Sequence, residues 1–162
     1  MDSMICLNSI GIIHTDFCNL ENMPIQPIGE KASQGRIEIF EEFVEGIKDL
    51  EEFSHLILIY NFHEAKKTKL TVKPFLDDVE RGVFATRSPL RPNHIGISVV
   101  EIEKIEDNNI FIKNIDVLDN TPLLDIKPLV PDFDIPKTNI EIGWLDKVSK
   151  NAKTKLSDNR FK

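Results

Sequence analysis

Between Ile95 and Ile115 the chain alternates aliphatic with small or polar residues, turns at Asp107-Asn108-Asn109, and becomes aliphatic again. Ile95, Ile97 and Val99 interleave with Gly96, Ser98 and Val100, and the run reaches Ile102 and Ile105 before the turn. Ile110, Ile112 and Ile115 supply the return. A period of two carried by β-branched side chains fits a half-buried strand, so this stretch predicts two antiparallel strands joined by a tight turn.

Further strands are predicted on the N-terminal side. Ile5 to Ile13 is rich in isoleucine and reads as a strand ending near His14. Gly35-Arg36-Ile37-Glu38-Ile39 alternates polar with apolar residues. Ser54 to Phe62, with Leu56, Ile57, Leu58 and Ile59 in sequence, reads as a central strand without a polar face. Thr68 to Val72 and Gly82 to Thr86 are shorter candidates. Asn19 to Lys31 holds Pro24, Pro27 and Gly29 and is predicted as a loop. Phe43, Ile47 and Leu50 share a helical face, and a C-terminal helix is expected around Trp144 to Leu156. The segments Asp119-Asn120-Thr121-Pro122 and Lys127-Pro128 are predicted to be irregular because of their prolines.

Alternating βα units and a Gly-x-Gly-x-x-Gly turn are both absent, which argues against a doubly wound nucleotide fold. The fold class expected is mainly β: a small closed or nearly closed antiparallel β-barrel with one or two short helices. Residues 1–138 are assigned to the barrel, and 139–162 to a C-terminal helix and basic tail of the same domain.

At 162 residues and 41% hydrophobic content the chain can bury one sizeable core. Its longest apolar run, Leu56 to Tyr60, is far short of the roughly 20 residues that span a bilayer. Asp2 stands where a signal peptide would be basic, so the expectation is a cytoplasmic protein with no membrane partner. Cys6 and Cys18 lack paired spacing and read as reduced thiols. A formal charge of −7 argues against indiscriminate nucleic-acid binding but leaves room for a local basic patch. One candidate patch is Arg81, Arg87 and Arg91 with Lys73 upstream; another is the lysine-rich tail after Lys147, whose simpler reading is a solvated helix face.

Two constellations carry chemistry. The first runs from Gly82 to Gly96, where a strand feeds a loop holding Arg87, Arg91, Asn93 and the prolines Pro89 and Pro92. Prolines stiffen the loop, and a guanidinium fork binds carboxylate or phosphate bidentately. The second is Asp116, Asp119, Thr121, Asp125 and Lys127, whose carboxylates can accept from ribose hydroxyls or an amine, or can cap turns. A metal site is not expected: the EF-hand order is absent, and His55 and His63, eight residues apart, would need His14 or Cys18 as a third ligand without any supporting motif. His55 reads as structural, whereas His63 at the strand end is better placed for a cleft.

Several words then become recognisable. Gly82-Val83-Phe84-Ala85-Thr86-Arg87-Ser88, Arg91-Pro92-Asn93-x-Ile95-Gly96 and Thr121-Pro122-x-x-Asp125-Ile126-Lys127-Pro128 closely resemble the TsaA-like, or TrmO, family. Ile10-Gly11-Ile12-Ile13, Phe53-Ser54-His55 and Phe62-His63 match as well, so the resemblance spans roughly Ile5 to Asp132. It implies a small β-barrel, a homodimer, that transfers a methyl group from S-adenosyl-L-methionine to N6 of threonylcarbamoyladenosine beside the tRNA anticodon. It also implies cofactor contacts from Gln26, Pro27, His63 and Arg87, and an adenine pocket made by the backbone of Val99 and of Ile115, Asp116, Val117 and Leu118. Arg91, Asn93, Asp125 and Lys127 fall in the matching words and are the candidates for substrate positioning and catalysis.

Departures from the family words fall at named positions. Ile25 replaces an arginine, His94 stands at a proline position, Asn120 replaces a glycine and Leu129 replaces a tyrosine. Losing an arginine and a tyrosine removes two groups that grip phosphate or stack on a base. A methyltransferase of a small molecule and a non-catalytic S-adenosyl-L-methionine-binding protein are therefore the alternatives. A contiguous positive surface near Arg87 and Arg91 separates RNA from a small substrate.

Overall fold

The computed structural model describes residues 4–19 and 33–148. Eight strands follow in chain order: β1 (Gly11–Thr15), β2 (Gln34–Ile39), β3 (His55–Asn61), β4 (Thr71–Val72), β5 (Arg81–Gly82), β6 (Ile95–Glu106), β7 (Asn109–Lys113) and β8 (Thr121–Pro128). Six of them close an antiparallel barrel in the order β1-β2-β7-β6-β3-β8, and β4 and β5 form a separate two-stranded flap. Barrel closure leaves no open sheet edge among these six strands.

The hairpin read from the sequence is β6 and β7, joined by the turn Asp107-Asn108. Asp107 takes a φ of 52°, a left-handed conformation that aspartate tolerates better than most residues. Its burial phase holds a surprise. Gly96, Ser98 and Val100 face the core, whereas Ile97 is 48% exposed and Val99 40%. A six-stranded barrel has a narrow interior, and Tyr60, paired with Gly96, already fills it. Around it pack Ile13, Ile37, Leu56, Leu58, Ile110 and Leu123, all fully buried.

Five elements differ from expectation. The first strand begins at Gly11 rather than Ile5; residues 4–8 are exposed. The Phe43 to Leu50 segment is 3₁₀ rather than α-helical, in two pieces, Glu41–Ile47 and Leu50–Glu52, because nothing in it is buried deeply enough to favour a longer helix. Gly82 to Thr86 contributes a single strand residue, Gly82, to the two-residue strand Arg81–Gly82, after which Val83–Ala85 forms a 3₁₀ turn. The irregular segments around Pro122 and Pro128 are in fact the two ends of β8. Pro122 is tolerated because β3 pairing stops at Leu123, leaving Pro122 with β1 alone as neighbour; Pro128 is the strand's last residue. At the C-terminal end, the described part of the expected helix is a 3₁₀ turn, Gly143–Lys147, and the rest lies outside the described residues.

A Cβ added at Gly96 would meet the rings of both Tyr60 and Phe62, which pack edge to face at 5.4 Å. Neither ring can retreat freely, since the Tyr60 hydroxyl is fixed 2.9 Å from Ser98 Oγ. Gly96→Ala should therefore lower unfolding free energy in urea by about 1–3 kcal/mol. Gly82→Ala, where a Cβ meets nothing within 4 Å, should change it by no more than about 0.5 kcal/mol.

Candidate functional site

The polar cluster begins inside the barrel. Tyr60 is a buried hydroxyl that must find a partner, and it finds Ser98 Oγ at 2.9 Å. Ser98 Oγ in turn donates to Asp116 Oδ1 at 2.6 Å. Asp116 sits just beyond β7, where Asn114 at φ 64° turns the chain and fully buried Ile115 plugs the barrel. Burial pushes the Asp116 carboxyl up to about 6, against the opposing pull of the Ser98 hydrogen bond and the nearby Arg87 charge. Burial, with the Asp116 charge second, also holds the Tyr60 hydroxyl far above its ordinary value, so it remains a neutral donor.

The turn carrying Asp116 is clamped from three directions. Ser33 Oγ donates to the Ile115 carbonyl, Thr15 Oγ1 to that of Val117 at 2.9 Å, and Thr121 Oγ1 to that of Leu118 at 2.7 Å. Asp119 accepts from Thr15 N and donates its own N–H to Phe17 O. With the carbonyls engaged, the N–H groups of Val117 and Leu118 have no acceptor among the described residues. Asn120, where the family word has glycine, takes φ 61°, so the substitution keeps the left-handed turn that asparagine tolerates.

Arg87 lies on the neighbouring loop. After the 3₁₀ turn Val83–Ala85, Thr86 Oγ1 donates to Val83 O and accepts from Ser88 N, and Leu90 N bonds Ser88 Oγ. Arg91 is folded back, its Nη1 donating to Thr86 O at 3.2 Å, while Arg87 and Asn93 remain exposed. His94 adopts φ 50°, which no proline can reach, and its Nδ1 lies 2.8 Å from Pro89 O. The loop's exit and the β3 end meet where Phe62 N donates to His94 O at 2.7 Å, and this sets half-buried His63 alongside. From the C-terminal side, Trp144 Nε1 donates to Ala85 O and Arg81 stacks over the indole.

Other site residues named from the sequence fall elsewhere. Gln26 and Pro27 lie outside the described residues; on either side of them, Phe17 and Ser33 are bonded to Asp119 and Ile115. Asp125 and Lys127 form an ion pair at 2.8 Å. In the cross-strand register Asp125 faces Ile59 and Lys127 faces Ile57, which face Ile97 and Val99. Paired residues share a face, so this row lies on the barrel exterior, opposite Ser98. His14 sits between Glu38 and Asp119, at 3.3 and 3.5 Å, and His55 bonds Ser54 Oγ. Among the described residues no three His, Cys, Asp or Glu side chains converge as a metal set.

Ser98 and Tyr60 were missed in the sequence. The signal was present: Ser98 is the lone hydroxyl between Gly96 and Val100, a polar group on the strand phase that a narrow barrel turns inward.

A small antiparallel barrel whose end joins a half-buried carboxylate, backbone N–H groups with no acceptor among the described residues and a proline-stiffened arginine loop defines a binding class rather than a substrate. The comparisons define the lineage. Residues 12–135 match the model of the tRNA-methyltransferase O N-terminal domain. A Pyrococcus abyssi protein named "Probable S-adenosyl-L-methionine-binding protein" is 51% identical over 158 residues, 98% of this chain and 85% of its own. The mouse tRNA (adenine(37)-N6)-methyltransferase is 39% identical over 105 residues, 63% of this chain and 24% of its own. The crystal structure of TrmO from Pseudomonas aeruginosa superposes with a TM-score of 0.74 at 36% identity, over 89% of this chain and 64% of that one. The chain belongs to the tRNA-methyltransferase O family, and it spans under two thirds of that crystallised relative.

A carboxyl whose native value is raised holds a proton that the unfolded chain has already released. Stability from Asp116 is therefore greatest below its unfolded value of 3.8 and is lost as pH rises through about 6. The loss is up to about 3 kcal/mol. Urea unfolding of Asp116→Asn should lack this decline, so the variant gains on the wild type between pH 4 and 7.

Proposed function

We propose that this chain binds S-adenosyl-L-methionine and transfers its methyl group to N6 of threonylcarbamoyladenosine beside the anticodon of a tRNA. The observation that carries the reading is Asp116, held by Ser98 at the barrel end within the field of Arg87, with Val117 and Leu118 N–H groups on the same turn that have no acceptor among the described residues. The donor set fits the molecule. Arg87 suits its carboxylate, the free Asp116 Oδ2 suits a ribose hydroxyl or the amine, and the backbone N–H groups suit adenine nitrogens.

When bound, S-adenosyl-L-methionine supplies a methyl group on a sulfonium that is already a leaving group, so the protein must chiefly align it and manage a proton. Arg87 and Asp116 would hold its charged and hydroxyl groups. His63, at the end of β3 beside the arginine loop, is placed to accept the N6 proton of a poor carbamoylated nucleophile. Asn93, exposed on the loop, and Arg91, which braces it, position the incoming base. Asp125 and Lys127 stand on the outer face and reach a substrate only from a site completed across a two-fold dimer packed on Ile97 and Val99.

One assay tests the reading and its assignments: methyl-labelled S-adenosyl-L-methionine is incubated with tRNA carrying or lacking threonylcarbamoyladenosine, and the labelled nucleoside is identified. Label should appear on that nucleoside alone. Arg87→Ala should weaken cofactor binding by about one to two decades, the loss of a charge-assisted hydrogen bond of about 1.5–3 kcal/mol. Asp125→Ala should leave that constant unchanged and slow transfer, as expected of a group that positions the substrate from the partner side. Unchanged turnover in Asp125→Ala removes it from the mechanism, and label on any other product overturns the substrate.

A further inference from the structure

Charge is segregated along this chain. Residues 65–76 and 81–100 carry four lysines (Lys66, Lys67, Lys69, Lys73) and three arginines, with no Asp or Glu among them. The other 130 residues carry 13 Lys and Arg against 27 Asp and Glu, a formal −14.

The fold ties the two basic stretches into one face. Lys69 N donates to Leu90 O and Val83 N to Leu70 O, each at 2.9 Å, while Thr71 and Val72 pair with Gly82 and Arg81. Beneath them Val72, Val83 and Leu90 close a small core of their own, separate from the barrel core. The flap is thus bonded directly to the loop that carries Arg87 and Arg91, and residues 66–71 are all exposed.

Local carboxylates leave part of this charge unspent. Asp77 is taken by Arg81 at 2.6 Å, and Asp78 lies 3.3 Å from Lys73. Glu80 lines the same open concavity, of ≈ 420 Å³, as Lys69 and Lys73. Lys67, Lys69, Arg87 and Arg91 form no ion pair among the described residues. Phe84, in the same carboxylate-free stretch and 73% exposed, offers a ring face beside them. Cations that follow a backbone, next to an aromatic that accepts a base, match single-stranded or loop RNA.

Resting on the function proposed above, we propose that the β4–β5 flap, with Phe84, is the surface on which the phosphates of the substrate's RNA loop dock. Apart from the lysine-rich tail after Lys147, the rest of the chain is strongly acidic, so this face both attracts RNA and biases its approach.

The test uses the full chain and an unmodified tRNA transcript, with binding followed by fluorescence anisotropy from about 50 to 200 mM salt. Replacing both lysines, Lys67→Ser with Lys69→Ser, should weaken binding and reduce the slope of log K against log salt by about 2. Phe84→Ala should weaken binding without altering that slope. Cofactor affinity by calorimetry should be unchanged in all variants, which shows that the site is intact. Wild-type affinity and slope in the lysine variant would overturn the surface while leaving methyl transfer standing. Lost slope in a protein that transfers no methyl to the nucleoside would keep the surface and remove the enzymatic reading. Wild-type protein that binds anionic vesicles but no transcript overturns the surface as an RNA dock.

Discussion

A tyrosine hydroxyl sealed inside a six-stranded barrel governs much of this structure. It cannot be left unpaired without a penalty of about 1–3 kcal/mol, and the partner it finds is Ser98. That requirement puts Ser98, Gly96 and Val100 on the inner phase of β6, and so turns Ile97 and Val99 outward. Through Ser98 the same hydrogen-bonded chain reaches Asp116 at the barrel's end and holds a carboxylate where burial would otherwise expel it. Core packing and site chemistry are therefore one network, with Gly96 leaving the room that the tyrosine ring occupies.

Around that network the barrel sorts its surfaces by function. The end near Asp116 gathers the loop of Arg87, the turn of Val117 and Leu118, and His63. One outer wall carries the apolar row of Ile57, Ile59, Ile97 and Val99 flanked by the Asp125–Lys127 ion pair. The flap holds cations in a chain that is acidic elsewhere except for the lysine-rich tail after Lys147. Three parts of the surface thereby differ in chemistry: a half-buried carboxylate beside an arginine loop at the barrel end, an apolar row flanked by an ion pair on the wall, and exposed lysines on the flap.

Much of this was legible in sequence because its signals were periodic. The β6–β7 hairpin announced itself through alternation on both sides of Asp107-Asn108, and Gly35 to Ile39 did the same. β8 was not legible, since two prolines read as breakers until pairing showed Pro122 beyond the reach of β3 and Pro128 at the strand's last position. The 3₁₀ segment after β2 kept its helical spacing but buried too little to extend. Of the candidate site, Arg87 and His63 stood in motif words, and Asp116 in the second carboxylate constellation. Which face Asp125 and Lys127 occupy depended on a register that only pairing reveals, and a one-residue slip would have reversed it. The His94 and Asn120 departures acquired their reason only from backbone angles of 50° and 61°.

The central claim is that Asp116, half-buried and held by Ser98, which Tyr60 holds in turn, is the acceptor of the ligand site. Carbon-detected NMR titration of its carboxyl, assigned by comparison with Asp116→Asn, tests this most directly when run with and without S-adenosyl-L-methionine. The account predicts a transition near 6 in the free protein, since burial favours the protonated form, and a lower one with ligand present, since a donor or cation on Oδ2 favours the ionised form. A carboxyl that titrates near its ordinary value of 3.8 and does not move when the ligand binds would contradict it.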